Sequence, residues 1–288
     1  MRAAWRAGRA GLLLAAVYAV PAPLRDAVWD DGQAEISTYR GTIVAEGHER
    51  ALTVRMIAVK EEFDLRQQVK AETGSAADSA LTTTAIKLNV IRDFTTGAYS
   101  FHQMSSVFYD RATLHPLKLA MSSTDGCGIT YVEVLPEGKG FRHRSHSYFQ
   151  DEADRELSIE ARPDTLAVVL WDGLPLWLRT LDLATPQHFE IRLLPSQVSP
   201  RVQAAAFVPA GLQVFGADTR GLRVRVSYRN AAGRLSGDTF WFRKDPPHVL
   251  KRLERGDGTV LELVDTQRLA YWTKTAPEDT ALVSRNPR

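Results

Sequence analysis

Apolar and polar residues alternate with a period of two along most of the chain. The clearest runs have apolar residues at 222, 224, 226 and 228, at 157, 159 and 161, and at 189, 191 and 193. Because successive side chains of a strand point to opposite faces, this pattern predicts strands with one face on a core and one in water. Similar runs predict strands at residues 34–45, 51–62, 85–93, 104–111, 115–123, 129–135, 141–149, 239–244, 248–255 and 259–265.

Short turn signals separate these runs. They are Asp125-Gly126, Glu137-Gly138, Asn230 to Gly233 and Asp257-Gly258. Connections this short favour hairpins over parallel units, which need helix-length crossovers. The string at 255–257, Arg-Gly-Asp, could be an adhesion motif, but its place between two strands favours a β-turn. We therefore predict a mainly β fold, with a curved antiparallel sheet that is open or a half-barrel, in one domain of residues 23–288.

One segment departs from the alternation. Between Asp164 and Leu183 the apolar residues recur at three- and four-residue steps, which predicts the apolar stripe of a helix. Asp164 could cap its start, and Gly173 with Pro175 should divide it into two short helices. We expect this segment to cover the concave face of the sheet with Leu170, Leu174, Trp177 and Leu181. Residues 73–82, rich in Ser and Ala, are predicted to form a flexible loop.

The N-terminus has the layout of a signal peptide. Three arginines precede a short apolar run at Leu12 to Val20, and Ala19 and Ala22 offer cleavage sites. The run is too short to span a membrane as a helix. The alternative to a signal peptide is a buried helix of the mature domain. We expect residues 1–22 to be a signal peptide and the protein to be periplasmic or secreted. No second apolar stretch approaches the length of a membrane-spanning helix.

Charge argues against nucleic acid as a partner. The sequence pI is about 8.7, which on its own suggests a nucleic-acid binder. Removing residues 1–22, which hold three arginines and no acidic residue, changes the formal net charge from +2 to −1. A nearly neutral chain lacks a global attraction for phosphate backbones. The only cysteine is Cys127, so no internal disulfide is possible.

Three stretches carry a resemblance to a known group. They are KLNVIRDFTTGAYSF at 87–101, DGCG at 125–128, and a C-terminal stretch with PHVL at 247–250, DG at 257–258 and RLAYW at 268–272. They resemble uncharacterised exported bacterial proteins that are sometimes automatically labelled septum formation inhibitor Maf. That label implies a nucleotide pyrophosphatase, but the chain lacks the Ser-x-Arg-Arg phosphate-binding start, so we do not expect that activity. The order of elements is more distantly similar to lipoprotein-carrier half-barrels, in which a curved sheet holds an acyl chain.

Cys127 is the one candidate for catalysis. Its flanking glycines would let a ligand approach the backbone closely, and a thiolate beside a histidine would be nucleophilic. The alternative is a hairpin cysteine packed as a small hydrophobic residue. His143 and His146 invite a metal site, but on a strand residues three apart face opposite sides. We therefore expect no metal, and no motif implies a cofactor.

Two further sets of residues suggest a ligand or a structural role. Arg92 and Asp93 predict a structural ion pair at a strand end, or an Arg–Asp pair that contacts an anion. Large aromatic residues at Trp171, Trp177, Phe240 and Phe242 predict either ordinary core or the lining of an apolar ligand site. The first functional hypothesis is a protein that binds or carries an apolar or amphiphilic ligand. The alternatives are a non-enzymatic envelope assembly or interaction protein, and a Cys127-dependent hydrolase.

Overall fold

The strands predicted from the alternation are present and belong to one sheet. The computed structural model describes Leu24 and residues 26–72, 81–161, 166–230 and 232–279. The expected signal peptide, most of the loop predicted at 73–82, and Asp164 lie outside the described residues. Within them, no helix is long and apolar enough to cross a bilayer.

The strands are β1 (Ala34–Ala45), β2 (His48–Asp64), β3 (Val69–Lys70), β4 (Thr82–Thr96), β5 (Tyr99–Asp110), β6 (Pro116–Thr124), β7 (Ile129–Glu137), β8 (Gly140–Ser147), β9 (Asp154–Glu160), β10 (Ala167–Leu170), β11 (Gln187–Leu194), β12 (Val208–Ala217), β13 (Leu222–Arg229), β14 (Leu235–Phe242), β15 (Leu250–Glu254) and β16 (Val260–Leu269).

The sheet is almost entirely antiparallel. Its order is β10-β11-β12-β13-β14-β15-β16-β1-β2-β4-β5-β6-β7-β8-β9, and β3 pairs with β2. Most neighbours are consecutive hairpins, as the turn signals predicted, and only β10 with β11 is parallel. The pairing of β1 with β16, in which Ala34 lies opposite Leu269, joins the two halves of the chain. The predicted antiparallel sheet is therefore confirmed, and it is not closed into a barrel.

The sheet curves around the segment that follows β9. β10 pairs with β11 near one end of the strand order, yet it also contacts β6 from the other half. The Tyr109 hydroxyl of β5 donates a hydrogen bond to the Leu170 carbonyl oxygen at 3.4 Å. Contacts from both halves to one segment require a concave face. The main core cluster lies between that face and this segment, residues 167–180, which we call the plug.

The plug covers the concave face with the residues that the sequence predicted. Leu170, Leu174 and Trp177 of the plug, and Leu181 directly after it, are all buried in the main core cluster. At its other end, Arg179 donates two hydrogen bonds to the Glu35 carboxylate, at 2.8 and 2.9 Å. The covering role of this segment is confirmed.

The extent of helix in the plug was predicted wrongly. Residues 167–170 form β10, and the helical part consists of a 3-10 turn at 171–173, the four-residue helix α1 (Leu174–Trp177), and a second 3-10 turn at 178–180. β-branched Val168 and Val169 favour the extended pairing with β11. The segment is buried nearly all round, so its apolar residues did not have to follow a helical stripe. Gly173 permits a close approach, because a Cβ there would collide with the Tyr109 hydroxyl.

Candidate functional site

A small cavity lies between the plug and the concave face. The space open to the centre of a water molecule is about 30 Å³, which is room for about two waters. β2, β4, β5, β15 and β16 form its walls, and Trp171, Asp172 and Pro175 of the plug lie against it. Its lining consists of Leu52, Val54, Met56, Val90, Arg92, Ser105, Trp171, Asp172, Pro175, Val198, Leu253, Arg255, Thr259 and Leu261.

Strand register brings the lining residues side by side. Val54 of β2 lies opposite Arg92 of β4, and Val90 lies opposite Ser105 of β5. Alternate residues of one strand share a face, so the inward row of β4 contains Ile86, Leu88, Val90, Arg92 and Phe94. One charged side chain therefore lies in a row of apolar ones, on the face that forms the core.

Arg92 is a buried charge without a direct partner. The residue is 8% exposed, and among the described residues no hydrogen bond reaches its guanidinium group. Burial lowers its pKa to about 10; nearby Arg255 acts in the same direction, while Asp257 and Asp172 oppose them. These charges act at longer range than an ion pair. A buried guanidinium without hydrogen bonds is costly, so its presence requires an explanation.

Three further polar atoms at the cavity also lack partners. Ser105 Oγ, Thr259 Oγ1 and Arg255 Nε are buried without a hydrogen bond. Arg255 is otherwise engaged, since Nη2 lies 3.1 Å from Asp257 Oδ2 and the guanidinium carbon lies 4.0 Å from the centroid of the Trp171 ring. The cavity therefore combines apolar walls with a cluster of unsatisfied N–H and O–H groups.

The carboxylates near the cavity are already hydrogen-bonded. Asp172 accepts from Ser196 Oγ at 2.6 Å and from the Gln197 amide at 2.9 Å. Burial nevertheless raises the pKa of Asp172. Behind the plug, Asp238 accepts from Trp171 Nε1 at 2.6 Å, from the Tyr228 hydroxyl at 3.0 Å and from the Gly256 amide at 2.9 Å. These bonds fix the plug and leave the free donors on the arginines and hydroxyls.

Of the four aromatic residues predicted to line a ligand site, Trp171 lines this cavity. Phe240 packs against Trp171, with ring centroids 6.5 Å apart, and Phe242 packs against Phe240 at 6.4 Å. Trp177, Phe240 and Phe242 are absent from the lining. They are nearly fully buried core residues, so for these three the core interpretation describes the structure better. The reason is that they pack against other side chains on the concave face and leave no space beside them.

The predicted ion pair of Arg92 with Asp93 is not formed. Neighbouring residues of β4 face opposite sides, so Arg92 points to the core and Asp93 is exposed. Asp93 Oδ1 instead lies 2.7 Å from His102 Nδ1 on β5. The prediction of a structural ion pair is therefore wrong. The alternative for Arg92, contact with an anion, stays a prediction.

Cys127 and the histidines lie outside the cavity. Cys127 is exposed rather than packed, on a turn where Asp125 Oδ1 accepts from its amide at 2.7 Å. Its thiol lies near Tyr99 and raises the pKa of that tyrosine. His143 and His146 face opposite sides of β8: His143 Nε2 lies 3.2 Å from Gln197 Oε1 in the interior, and His146 is exposed. The structure brings none of these three residues to the cavity.

Comparison with known proteins was made by sequence and by fold. No family model and no curated protein matches the chain, so the Maf label has no support. Two solved structures are similar in fold. One is a β-barrel-like protein of the family of unknown function DUF1849 from Brucella abortus, with a TM-score of 0.48, 10% identity, and coverage of 82% of this chain and 97% of that one. The other is a DUF1089 family protein from Pseudomonas aeruginosa, with a TM-score of 0.34, 15% identity, and coverage of 64% of this chain and 84% of that one.

Proposed function

We propose that the protein binds a small amphiphilic molecule between the sheet and the plug. The observation that carries the proposal is the amphiphilic lining of the cavity. Leu52, Val54, Met56, Leu253 and Leu261 provide apolar walls, and the same lining contains buried polar groups that have no partner among the described residues. Each unsatisfied buried donor costs about 1–3 kcal/mol. Buried polar groups without partners depart from the usual rules of a protein core, and such departures are expected at binding sites.

The plug would act as the lid of this site. A space of about 30 Å³ admits a head group but not a long apolar chain. Binding of an amphiphile therefore requires the plug to move away from the concave face. The polar contacts that such a movement would break at the cavity end are the bond from Trp171 Nε1 to Asp238, the 3.4 Å bond from the Tyr109 hydroxyl, and the two bonds that Asp172 accepts.

Filling the cavity is expected to abolish binding. Ser105→Val adds two methyl groups in place of a buried hydroxyl that has no hydrogen bond, so it should remove space and an unsatisfied group together. We expect affinity for the uncharged fluorescent probe N-phenyl-1-naphthylamine to fall at least about tenfold, with an unchanged or higher Tm. Ser105→Ala is the matched control, because it removes the hydroxyl without filling the space and should still bind the probe. Equal probe binding by wild type and Ser105→Val would place the ligand elsewhere.

We also propose that the protein is exported, with residues 1–22 as its leader. The support is the arrangement of three arginines, a short apolar run and small residues in the sequence. Fractionation of cells that produce the full chain should recover the protein outside the cytoplasm. Mass spectrometry of its N-terminus should find cleavage after Ala19 or Ala22. An intact N-terminus on a cytoplasmic protein would overturn the export proposal and leave the binding site unaffected.

A further inference from the structure

We infer that the ligand carries a carboxylate head group and that Arg92 recognises it. This inference rests on the proposed function and names the chemical class of the ligand: a single-chain monocarboxylate of the fatty-acid type. The buried guanidinium at the cavity, without a hydrogen bond from any described residue, is the observation on which it stands.

Arg92 occupies a position where a protein normally places an apolar residue. It lies between Val90 and Phe94 in the inward row of β4, and its register neighbours are Val54 on β2 and Gln103 on β5. Gln103 does not serve as its partner, since no hydrogen bond joins the two side chains and the recorded side-chain bond of Gln103 runs from Nε2 to Ser123 Oγ at 3.1 Å. A guanidinium offers five N–H donors in a planar fork that matches a carboxylate bidentately. A ligand carboxylate would satisfy donors that the chain itself leaves free.

The nearby protein carboxylates do not take this role. Asp172 is bonded to Ser196 and Gln197, and Asp238 accepts three hydrogen bonds. Asp257 pairs with Arg255, and its side chain is 50% exposed on a turn, where water screens its charge. Arg92 is thus the cation at the cavity that lacks a close counter-ion among the described residues.

The surroundings of Arg92 fit a carboxylate on a single apolar chain. Among the described residues, Ser105 adds a buried hydroxyl without a hydrogen bond, which could donate to a carboxylate oxygen, whereas the Thr259 hydroxyl lies near Asp257 and helps to lower the pKa of that carboxylate. Leu52, Val54 and Met56 continue the wall as apolar side chains and suit the first methylenes of a chain. A space of about 30 Å³ suits a small carboxylate head group better than the larger head group of a phosphodiester.

The test compares ligands that differ only in the head group. Decanoate and decan-1-ol would compete with N-phenyl-1-naphthylamine for the purified protein at pH 7.5, at concentrations at which both compounds are dissolved as monomers. Decanoate should displace the probe at a concentration at least about tenfold lower than decan-1-ol, because hydrogen bonds to charged groups contribute that much. Arg92→Leu should remove this preference and leave competition by decan-1-ol unchanged. Arg92→Lys, which keeps the charge without the planar fork, should retain part of it.

Control experiments distinguish a failure of the carboxylate assignment from a failure of the proposed function. Arg225→Leu changes an exposed arginine on the outer face of β13 and should keep the full preference. If neither decanoate nor decan-1-ol displaces the probe, the proposed function fails and the inference falls with it. If both compete equally in the wild type, or if Arg92→Leu retains the preference for decanoate, only the carboxylate assignment is overturned. The Tm of Arg92→Leu should equal or exceed that of the wild type. If Arg92→Leu does not fold, Arg92→Gln takes its place in the comparison.

Discussion

Replacing Trp177 with alanine is expected to lower the free energy of unfolding by about 3–5 kcal/mol. Trp177 lies in α1 at the centre of the plug and is 2% exposed. Its removal leaves a cavity between the plug and the concave face, where the surrounding strands are held by hydrogen bonds on both sides and can collapse little. For a chain of this size the loss corresponds to a fall in Tm of roughly 6–20 °C. Urea unfolding should show a lower midpoint with an unchanged slope.

Trp272 provides the matched control for this variant. It is also a tryptophan, but it is 49% exposed and its recorded ring contact is with Tyr271. Trp272→Ala should therefore shift the urea midpoint far less than Trp177→Ala. Equal midpoints for Trp177→Ala and the wild type would show that the plug does not carry the core packing assigned to it.

The strands could be predicted from sequence because one face of the sheet is buried and the other is exposed to solvent. The prediction at 34–45 coincides with β1, and that at 51–62 lies inside β2 (His48–Asp64). β2 is longer than its alternating run because hairpin pairing continues to Ala45 opposite His48. Alternation therefore locates the part of a strand that packs, and backbone pairing sets where the strand ends.

Three strands were missed: the two-residue β3, which is too short to show alternation, and β10 and β12. β12 contains Pro209, Gly211 and Gly216, which interrupt the apolar pattern although Leu212 and Val214 point inward. Gly216 has a φ of +77° and lies at a shift of register against β13, which is typical of a bulge. β10 was predicted as part of a helix. A fully buried segment has no solvent-exposed face, so the spacing of its apolar residues does not distinguish a helix from a strand.

The candidate site was only partly predictable. Counting in steps of two from Leu88 places Arg92 on the core face, so the sequence did contain the signal of a buried charge. Ser105, Arg255 and Thr259 carried no such signal. Ser105 meets Arg92 through the β4–β5 hairpin. Arg255 and Thr259 reach the cavity only because β16 pairs with β1 and β15 with β16, and these long-range pairings do not follow from local patterns. Trp171 was predicted from its residue type, but its place at the cavity depends on the path of the plug.

Replacing Glu35 with alanine is expected to destabilise the protein by about 3–5 kcal/mol, because it leaves the Arg179 guanidinium buried without its counter-ion. The side chains of Arg179 and Glu35 are 4% and 8% exposed and lie 2.8 Å apart. Arg179 also donates to the Pro247 carbonyl oxygen at 2.6 Å, so this pair fastens the end of the plug to β1.

A double-mutant cycle in urea would measure this contact. Glu35→Leu combined with Arg179→Met removes both charges, and the double variant should be more stable than Glu35→Ala. The exposed pair of Arg144 and Glu156 is the control, since Glu156→Ala should leave the midpoint nearly unchanged. If the plug is the lid of the site, the milder Glu35→Gln should alter the rate of probe binding at urea concentrations where the protein is still folded. Additive single and double variants would show that the pair does not fasten the plug.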